Sequence, residues 1–393
     1  MRKLLLAVIV SLSTVSTAAL AEIKVGIILG FTGPIESLTP AMRDGARMAF
    51  DEASNSGNLL GGESITILEA DSTCVDSAAA TAAAEGLVAD GVTAIMGADC
   101  SGVTGAINAN VAVPNGILMV SPSATSPGLS SVPDNGTFWR TAPSDAKGGQ
   151  VLANLALSRG IESIAVTYTN NDYGKGLAEV FEKAFTSGGG TVTAVASHEE
   201  DKGDYSSEVG VLASAGGDAL FVVGYLDGGG LGIIEASLDS GAFDTFVLGD
   251  GMIGQSLVDA FGKDLEKSIA TRPGSTGKGA QIFAKVAGAA NIDPDAPYTA
   301  SSYDAGALLV LAMQAGGSAD RASIAKNVMD VANAPGAKIY PGELKKGLDL
   351  LAEGKKIDYE GATGVVFTDV GEAEGSFLEK EIKNGKFETT KQR

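Results

Sequence analysis

Two successive series of short apolar runs, each run followed by a helical pattern, leave this chain few folds to choose from. In the first series, Ile23 to Gly30 (IKVGIILG) is a continuous apolar run of the kind buried on both faces of a sheet. The turn Thr32-Gly33-Pro34 follows, then a helix with Met42, Ala46, Ala49, Phe50 and Ala53 on one face. Further strands are expected at Ser64 to Ala70, Thr93 to Gly97 and Ile117 to Ser121, separated by an Ala-rich helix from Asp76 to Ala89 and a helix after Ser101. Phe138 to Pro143 reads as a connecting piece. The second series has strands at Ser163 to Tyr168, Thr191 to Ser197, Ala219 to Gly224, Phe246 to Gly249 and Ser268 to Thr271. Its helices start near Asp145, Asp172, Tyr205, Gly228 and Gly254. Such alternation implies an α/β protein with parallel sheets and right-handed crossovers.

After Thr271 three helical segments follow, about Gly277 to Ala290, Thr299 to Ala315 and Ser323 to Ala332, and strands are expected at Gly364 to Phe367 and Phe377 to Ile382. Packing this block against the first series is the economical solution. It implies one lobe from 22–143 and 272–374 and a second from 144–271 and 375–393, with more than one crossing between them and a cleft where they meet. Residues 1–21 read as an export signal: Arg2 and Lys3, an apolar run from Leu4 to Leu12, then small residues with cleavage expected after Ala21. The residue directly after that point is Glu22 rather than a lipid-bearing Cys, and no later segment has the roughly 18 unbroken apolar residues of a membrane span. A periplasmic, monomeric protein is expected.

In open α/β sheets ligands sit outside the carboxyl ends of strands. Two Ser/Thr-rich turns occupy such ends here: Asp99-Cys100-Ser101 and Ser121-Pro122-Ser123-Ala124-Thr125. Each reads either as an ordinary cap or as one half of a small polar site. Tyr173 and Tyr225 fall at strand ends of the second series, where each can stack on a ligand and donate a hydrogen bond. Gly249-Asp250-Gly251-Met252-Ile253-Gly254 matches the dinucleotide fingerprint in form, but it lies late in the second series with no strand-end acid at the expected spacing. The other use of those glycines is to let backbone approach a ligand while Asp250 offers a carboxylate.

The formal charge of −20 argues against nucleic acid or an anionic membrane as partner. The two cysteines, Cys74 and Cys100, read as a disulfide in an oxidising compartment, with a metal pair or a catalytic thiol as the alternatives. The single histidine, His198, sits in Ser197-His198-Glu199-Glu200-Asp201, which looks like a solvated strand end. No G-x-S-x-G elbow and no Walker pattern occurs. No catalytic residue, metal or cofactor is therefore expected, and an exported hydrolase or dehydrogenase is the enzymatic alternative.

With IKVGIILGFTGP, the Cys74 and Cys100 spacing, GILMVSPSAT, FWRTAPSD, NDYGKGLAE and the glycine-flanked acid at 250 in order, the chain resembles the leucine/isoleucine/valine-binding proteins. These are the branched-chain amino-acid class of periplasmic binding proteins, and the likeness covers nearly the whole mature chain. It implies a type I fold, two Rossmann-like lobes joined by three crossovers, a Cys74–Cys100 disulfide, and delivery of a small ligand to the membrane permease of an ABC importer. It also implies that the ligand carboxylate is held by Ser101, the backbone of Ser123 and Thr125 within the Ser123-Ala124-Thr125 segment. The ammonium would be held by Thr125 and Asp250, with Tyr173 and Tyr225 closing over the ligand. Where well-known members carry Trp this chain has Leu38, the acid is Asp250 where Glu is frequent, and Asp99 precedes Cys100 where an apolar residue suits an aliphatic ligand. Selectivity is expected to rest on Leu38, Asp99 and the opposing Tyr173, Tyr225 and Asp250. An amide, urea or an aromatic acid is the sibling class of ligand, and a sensing module is the alternative to transport.

Overall fold

The computed structural model describes residues 22–393, so the expected export signal lies outside the described residues. Two sheets organise the chain. The first is all parallel, in the order β2-β1-β3-β4-β5, built from β1 (Ile23–Leu29), β2 (Ile65–Asp71), β3 (Ala94–Gly97), β4 (Leu118–Ser121) and β5 (Phe138–Arg140). Helices α1 (Thr39–Asn55) and α2 (Ser77–Ala89) connect its first strands. Next comes α3 (Ser101–Ile107), which runs through a π-helical turn, Asn108–Ala112, into the short α4 (Val113–Asn115). Asp76 is the N-cap of α2, its carboxylate accepting from the Ala78 and Ala79 N–H groups.

The second series continues with α5 (Asp145–Ser158), β6 (Ser163–Thr169), α6 (Asp172–Ser187), β7 (Thr191–His198), α7 (Ser206–Ala215) and β8 (Ala219–Val223). It ends with α8 (Gly229–Ser240), β9 (Phe246–Leu248), α9 (Gln255–Phe261) and β10 (Ile269–Pro273). After α10 (Lys278–Ala289), α11 (Thr299–Gly316), α12 (Arg321–Ala332), β11 (Ala337–Ile339), α13 (Leu344–Ala352) and β12 (Ile357–Tyr359), the chain closes with β13 (Phe377–Lys383) and β14 (Lys386–Gln392). The second sheet has the order β14-β13-β10-β9-β8-β6-β7, parallel from β10 to β7 and antiparallel where β13 and β14 are added. The chain passes between the sheets three times: from β5 to α5, after β10, and before β13.

The late helical block packs where its burial requires. In α11 every residue from Ser301 to Gln314 is buried, and its Tyr303 hydroxyl donates to Glu52 of α1 at 2.6 Å. A Cβ on Gly45 of α1 would meet the Thr299 carbonyl oxygen at 2.4 Å, so the two helices touch backbone to backbone there. Asp304 of α11 accepts from Tyr359, from the Ala362 N–H and from both the N–H and hydroxyl of Thr363, which ties the following loop to the same lobe.

Three local expectations need correction. Phe138 to Arg140 is the fifth strand of the first sheet rather than a plain connector, since Met119, Val120 and Ser121 pair with it in parallel. Gly364 to Phe367 is not a strand; only one isolated bridge, Phe367 with Ala373, forms there. The small parallel pair β11 and β12 was not anticipated, because runs of three residues are too short for periodicity to register. Among the described residues no helix is long and apolar enough to cross a membrane.

Candidate functional site

Parallel register brings strand ends together. Ile28 pairs with Gly97, and Met96 pairs with Val120, so the turns after β1, β3 and β4 stand side by side at one edge. Gly97 is fixed by this geometry: its φ is +126°, and a Cβ there would lie 2.1 Å from the Ile28 carbonyl oxygen. Cys100 and Cys74 of the neighbouring turns form a disulfide. In the second sheet, Val222 pairs with both Thr167 and Leu248, which aligns the ends of β6, β8 and β9. These carry Tyr173, Tyr225 and Asp250 toward the first lobe.

A cavity of about 30 Å³ lies where the two edges meet. Ser101, Ser123, Asp99, Leu38, Ile35 and Met42 line it from the first lobe, and Tyr173, Tyr225, Asp250 and Gly251 from the second. Cys100 and Tyr298 complete the wall. Of the sequence candidates, Ala124 and Thr125 do not line it. Ala124 is buried against Leu129 and Phe138, and its N–H donates to the Ser121 hydroxyl at 2.9 Å. The Thr125 hydroxyl is buried beside Asp145, close enough to lower that carboxyl's pKa although it forms no well-aligned hydrogen bond.

Asp250 is the most heavily engaged group in the wall. It accepts from the Tyr173 hydroxyl at 2.6 Å and from the Tyr298 hydroxyl. Tyr173 in turn accepts the Gly251 N–H at 3.1 Å and stacks on Tyr225, ring centroids 5.3 Å apart. Gly251 admits no side chain, because a Cβ would stand 2.6 Å from the Gly224 carbonyl oxygen. Burial raises the Asp250 pKa against the lowering effect of both tyrosine hydrogen bonds. Asp145, at the first position of α5, is raised well above the usual carboxyl range, first by burial and then by the charge of Asp250. Two buried acids thus sit close enough to repel each other at the junction of the lobes.

Asp99 has a different character. Its carboxylate accepts from the Gly30 N–H at 2.6 Å, the Ser72 hydroxyl at 3.0 Å and the Cys100 N–H at 2.9 Å, so it clamps three strand ends together. Its pKa is raised by burial, with those donors opposing. The turn after β4 is held from behind by Arg140, a fully buried guanidinium. Its Nη1 donates to the Ala124 and Ser126 carbonyls, both at 2.9 Å, and its Nη2 to Ser130 and Glu372 at 2.8 and 2.6 Å. With those carbonyls turned toward Arg140, Ser101 accepts the Ser126 N–H at 3.0 Å and Ser123 donates to the Asp99 carbonyl at 3.0 Å.

Sequence reading missed Asp145, Arg140 and Tyr298. Asp145 and Arg140 lay inside the FWRTAPSD landmark and were read only as a helix start and a connector. Tyr298 precedes a helix with no local signal; its φ of 61° marks it as a strained non-glycine position. The expectation for His198 is overturned. It is buried at 1% exposure, its Nδ1 is 2.8 Å from the Thr167 hydroxyl, and burial pushes its pKa down to about 4. Among the described residues no group of three or more His, Cys, Asp or Glu side chains is placed to hold a metal ion.

The sequence profile of a family described as "Periplasmic binding protein" matches residues 22–347. The chain is 29% identical to "Leu/Ile/Val-binding protein homolog 3" of Brucella melitensis, over 80% of this chain and 85% of that one. A leucine binding protein, LivK, from Thermotoga maritima superposes with a TM-score of 0.79 at 24% identity, covering 94% of this chain and 98% of its own. The branched-chain amino acid transporter substrate binding protein LivJ from Streptococcus pneumoniae, in complex with isoleucine, gives 0.78 at 22% identity over 95% and 99%. At these identities the two structures speak to the fold alone.

Proposed function

The chain belongs to the periplasmic binding protein family, and from that premise we propose that it captures a free amino acid, branched-chain or related, between its lobes and delivers it to an ABC importer. The observation that carries this reading is the cavity's polarity. Buried Asp250 lines the cavity on one side, with buried Asp145 close enough to act on that carboxylate, and the hydroxyl- and N–H-bearing turns of Ser101 and Ser123 line it on the other. A zwitterion matches both ends, its ammonium toward Asp250 and its carboxylate toward the serine turns. Buried charges are tolerated only when paired. Leu38, Ile35 and Met42 offer the remaining wall to an aliphatic side chain. Asp250 and the serine turns hold the polar groups by charge-assisted hydrogen bonds, and Thr125 acts from behind through Asp145.

In the same reading residues 1–21 direct export to the periplasm and are removed after Ala21. Residues 22–143 with 272–374 form the lobe that receives the ligand, and 144–271 with 375–393 the lobe that closes. The partner is the importer's permease, which reads the closed form. The protein performs no chemistry, needs no cofactor and acts as a monomer. A thermal-shift panel of L-amino acids tests this. At 100 times its dissociation constant a ligand adds about 2.7 kcal/mol of stability, a shift that such a scan resolves. If no L-amino acid raises the melting temperature while an amide, urea or an aromatic acid does, the zwitterion reading is wrong.

A further inference from the structure

Beside the amino-acid cavity, two cations are buried without an ion-pair partner. Arg272 on β10 and Lys380 on β13 share one face of the second sheet, since Ala270 pairs with Lys380 and Arg272 lies two residues further along. They are 7% and 3% exposed. Arg272 spends one donor on the Asp295 carbonyl at 3.0 Å, while its Nε is buried without a partner. Among the described residues Lys380 Nζ has neither a hydrogen bond nor an ion pair. Burial first, and then the charge of Arg272, push its ammonium down to about 8.

Both side chains line a cavity of about 560 Å³ at the lobe junction, opposite Leu38. The Asp293 and Asp295 carboxylates lie at its rim and act on both cations at a distance, but neither forms an ion pair with them. Exposed Lys386 adds a third positive group. In a chain of net charge −20 the long-range field repels anions, so attraction at this place must come from local geometry. A planar guanidinium beside a point ammonium suits an oxyanion, which would supply the directly paired charge that Asp293 and Asp295 do not. Leu38 lines this cavity and the amino-acid cavity alike, and the Arg272 charge reaches Tyr298, which holds Asp250.

We propose that Arg272 and Lys380 form a second ligand site that binds a carboxylate- or phosphate-type oxyanion at the lobe junction. The anion is either free in solution or the distal carboxylate of an acidic amino acid whose other end occupies the neighbouring cavity. The experiment measures melting temperature and calorimetric affinity of the mature chain with sodium phosphate, succinate, L-glutamate and L-leucine, at ionic strength held constant with sodium chloride. Lys380→Met removes the ammonium at similar volume, and Lys380→Arg retains the charge. The expected result is saturable stabilisation by an oxyanion beyond that of chloride, weakened at least tenfold in Lys380→Met and within a few-fold of wild type in Lys380→Arg.

Binding of phosphate or succinate that leaves L-leucine affinity unchanged identifies a free anion. Binding of L-glutamate alone, weakened in Lys380→Met while L-leucine is unaffected, identifies the ligand's own carboxylate. The proposal is overturned if no oxyanion stabilises beyond chloride, or if Lys380→Met binds as wild type does. Failure of every amino acid to bind would defeat the function proposed above and leave the phosphate arm intact.

Discussion

Asp250 shows how one side chain can be satisfied and still be available. Its two oxygens each accept one tyrosine hydroxyl, yet an ionised carboxylate offers about four lone-pair sites, so room remains for an ammonium. Asp250→Asn keeps the shape and removes the charge. Calorimetry should show amino-acid affinity falling by about 2–5 kcal/mol, the usual cost of removing one partner of a buried charge pair. Unchanged affinity would mean the ammonium is held elsewhere. His198 offers a separate test at this scale. Its pKa is depressed from 6.5 to about 4, so the unfolded chain takes up a proton that the folded chain refuses. The stability it contributes is therefore complete above pH 6.5 and is lost as pH falls toward 4. Between pH 7 and pH 5 this amounts to about 2 kcal/mol. Urea midpoints at the two pH values should converge in His198→Gln relative to wild type, and an equal pH dependence would remove His198 as the cause. The sequence misplaced this histidine because its neighbours Glu199, Glu200 and Asp201 are polar, whereas burial is decided by Thr167 and Tyr205 packed from other elements.

Strand ends are the elements that matter most, and they were the most legible. Apolar runs such as Ile23 to Gly30 and Ala219 to Gly224 announce buried strands without help from context, and the turn after each is then located by default. What failed was short or context-dependent: β5 is three residues long and exists because β4 offers it a parallel edge, while Gly364 to Phe367 has strand composition but no neighbour to complete a ladder. Thr125 and Ala124 belong to the turn after β4 but do not line the cavity, and Arg140 holds that turn from behind. Gly97→Ala tests the β1–β3 junction directly. With a Cβ 2.1 Å from the Ile28 carbonyl oxygen and φ at +126°, chemical denaturation should show a loss of about 3 kcal/mol or more, at the upper end for a point substitution. A loss under 1 kcal/mol would show that the junction is looser than described. Across the adjoining turn, the disulfide spans a sequence separation of 26 residues. Its replacement by Cys74→Ser with Cys100→Ser should cost about 3.5 kcal/mol on the chain-entropy account, read from the same denaturation curves.

For the molecule as a whole, closure and ionisation are one problem. The lobes meet through Leu38 against Gly254 and through Asp145, Asp250 and Tyr298, so bringing them together buries two like charges at the junction. Burial raises both carboxyls, and mutual repulsion adds to the rise at Asp145. If the lobes close over the ligand as proposed, a raised carboxyl pKa would favour the closed, protonated form at low pH, and that contribution would be lost as pH rises through the folded value. An ammonium ligand reverses the preference: it pairs with the ionised form, and a proton on the carboxyl competes with it. Amino-acid affinity should therefore be highest near neutrality and fall as pH drops through the raised carboxyl range. In the same range, small-angle scattering of the ligand-free protein should show a smaller radius of gyration than at neutral pH. Asp145→Asn should flatten both profiles while leaving the disulfide and the Asp99 clamp untouched. If affinity were flat with pH and the radius of gyration unchanged by amino acid at any pH, the two acids would not govern closure, and the junction would be held by the apolar contact of Leu38 with the second lobe instead.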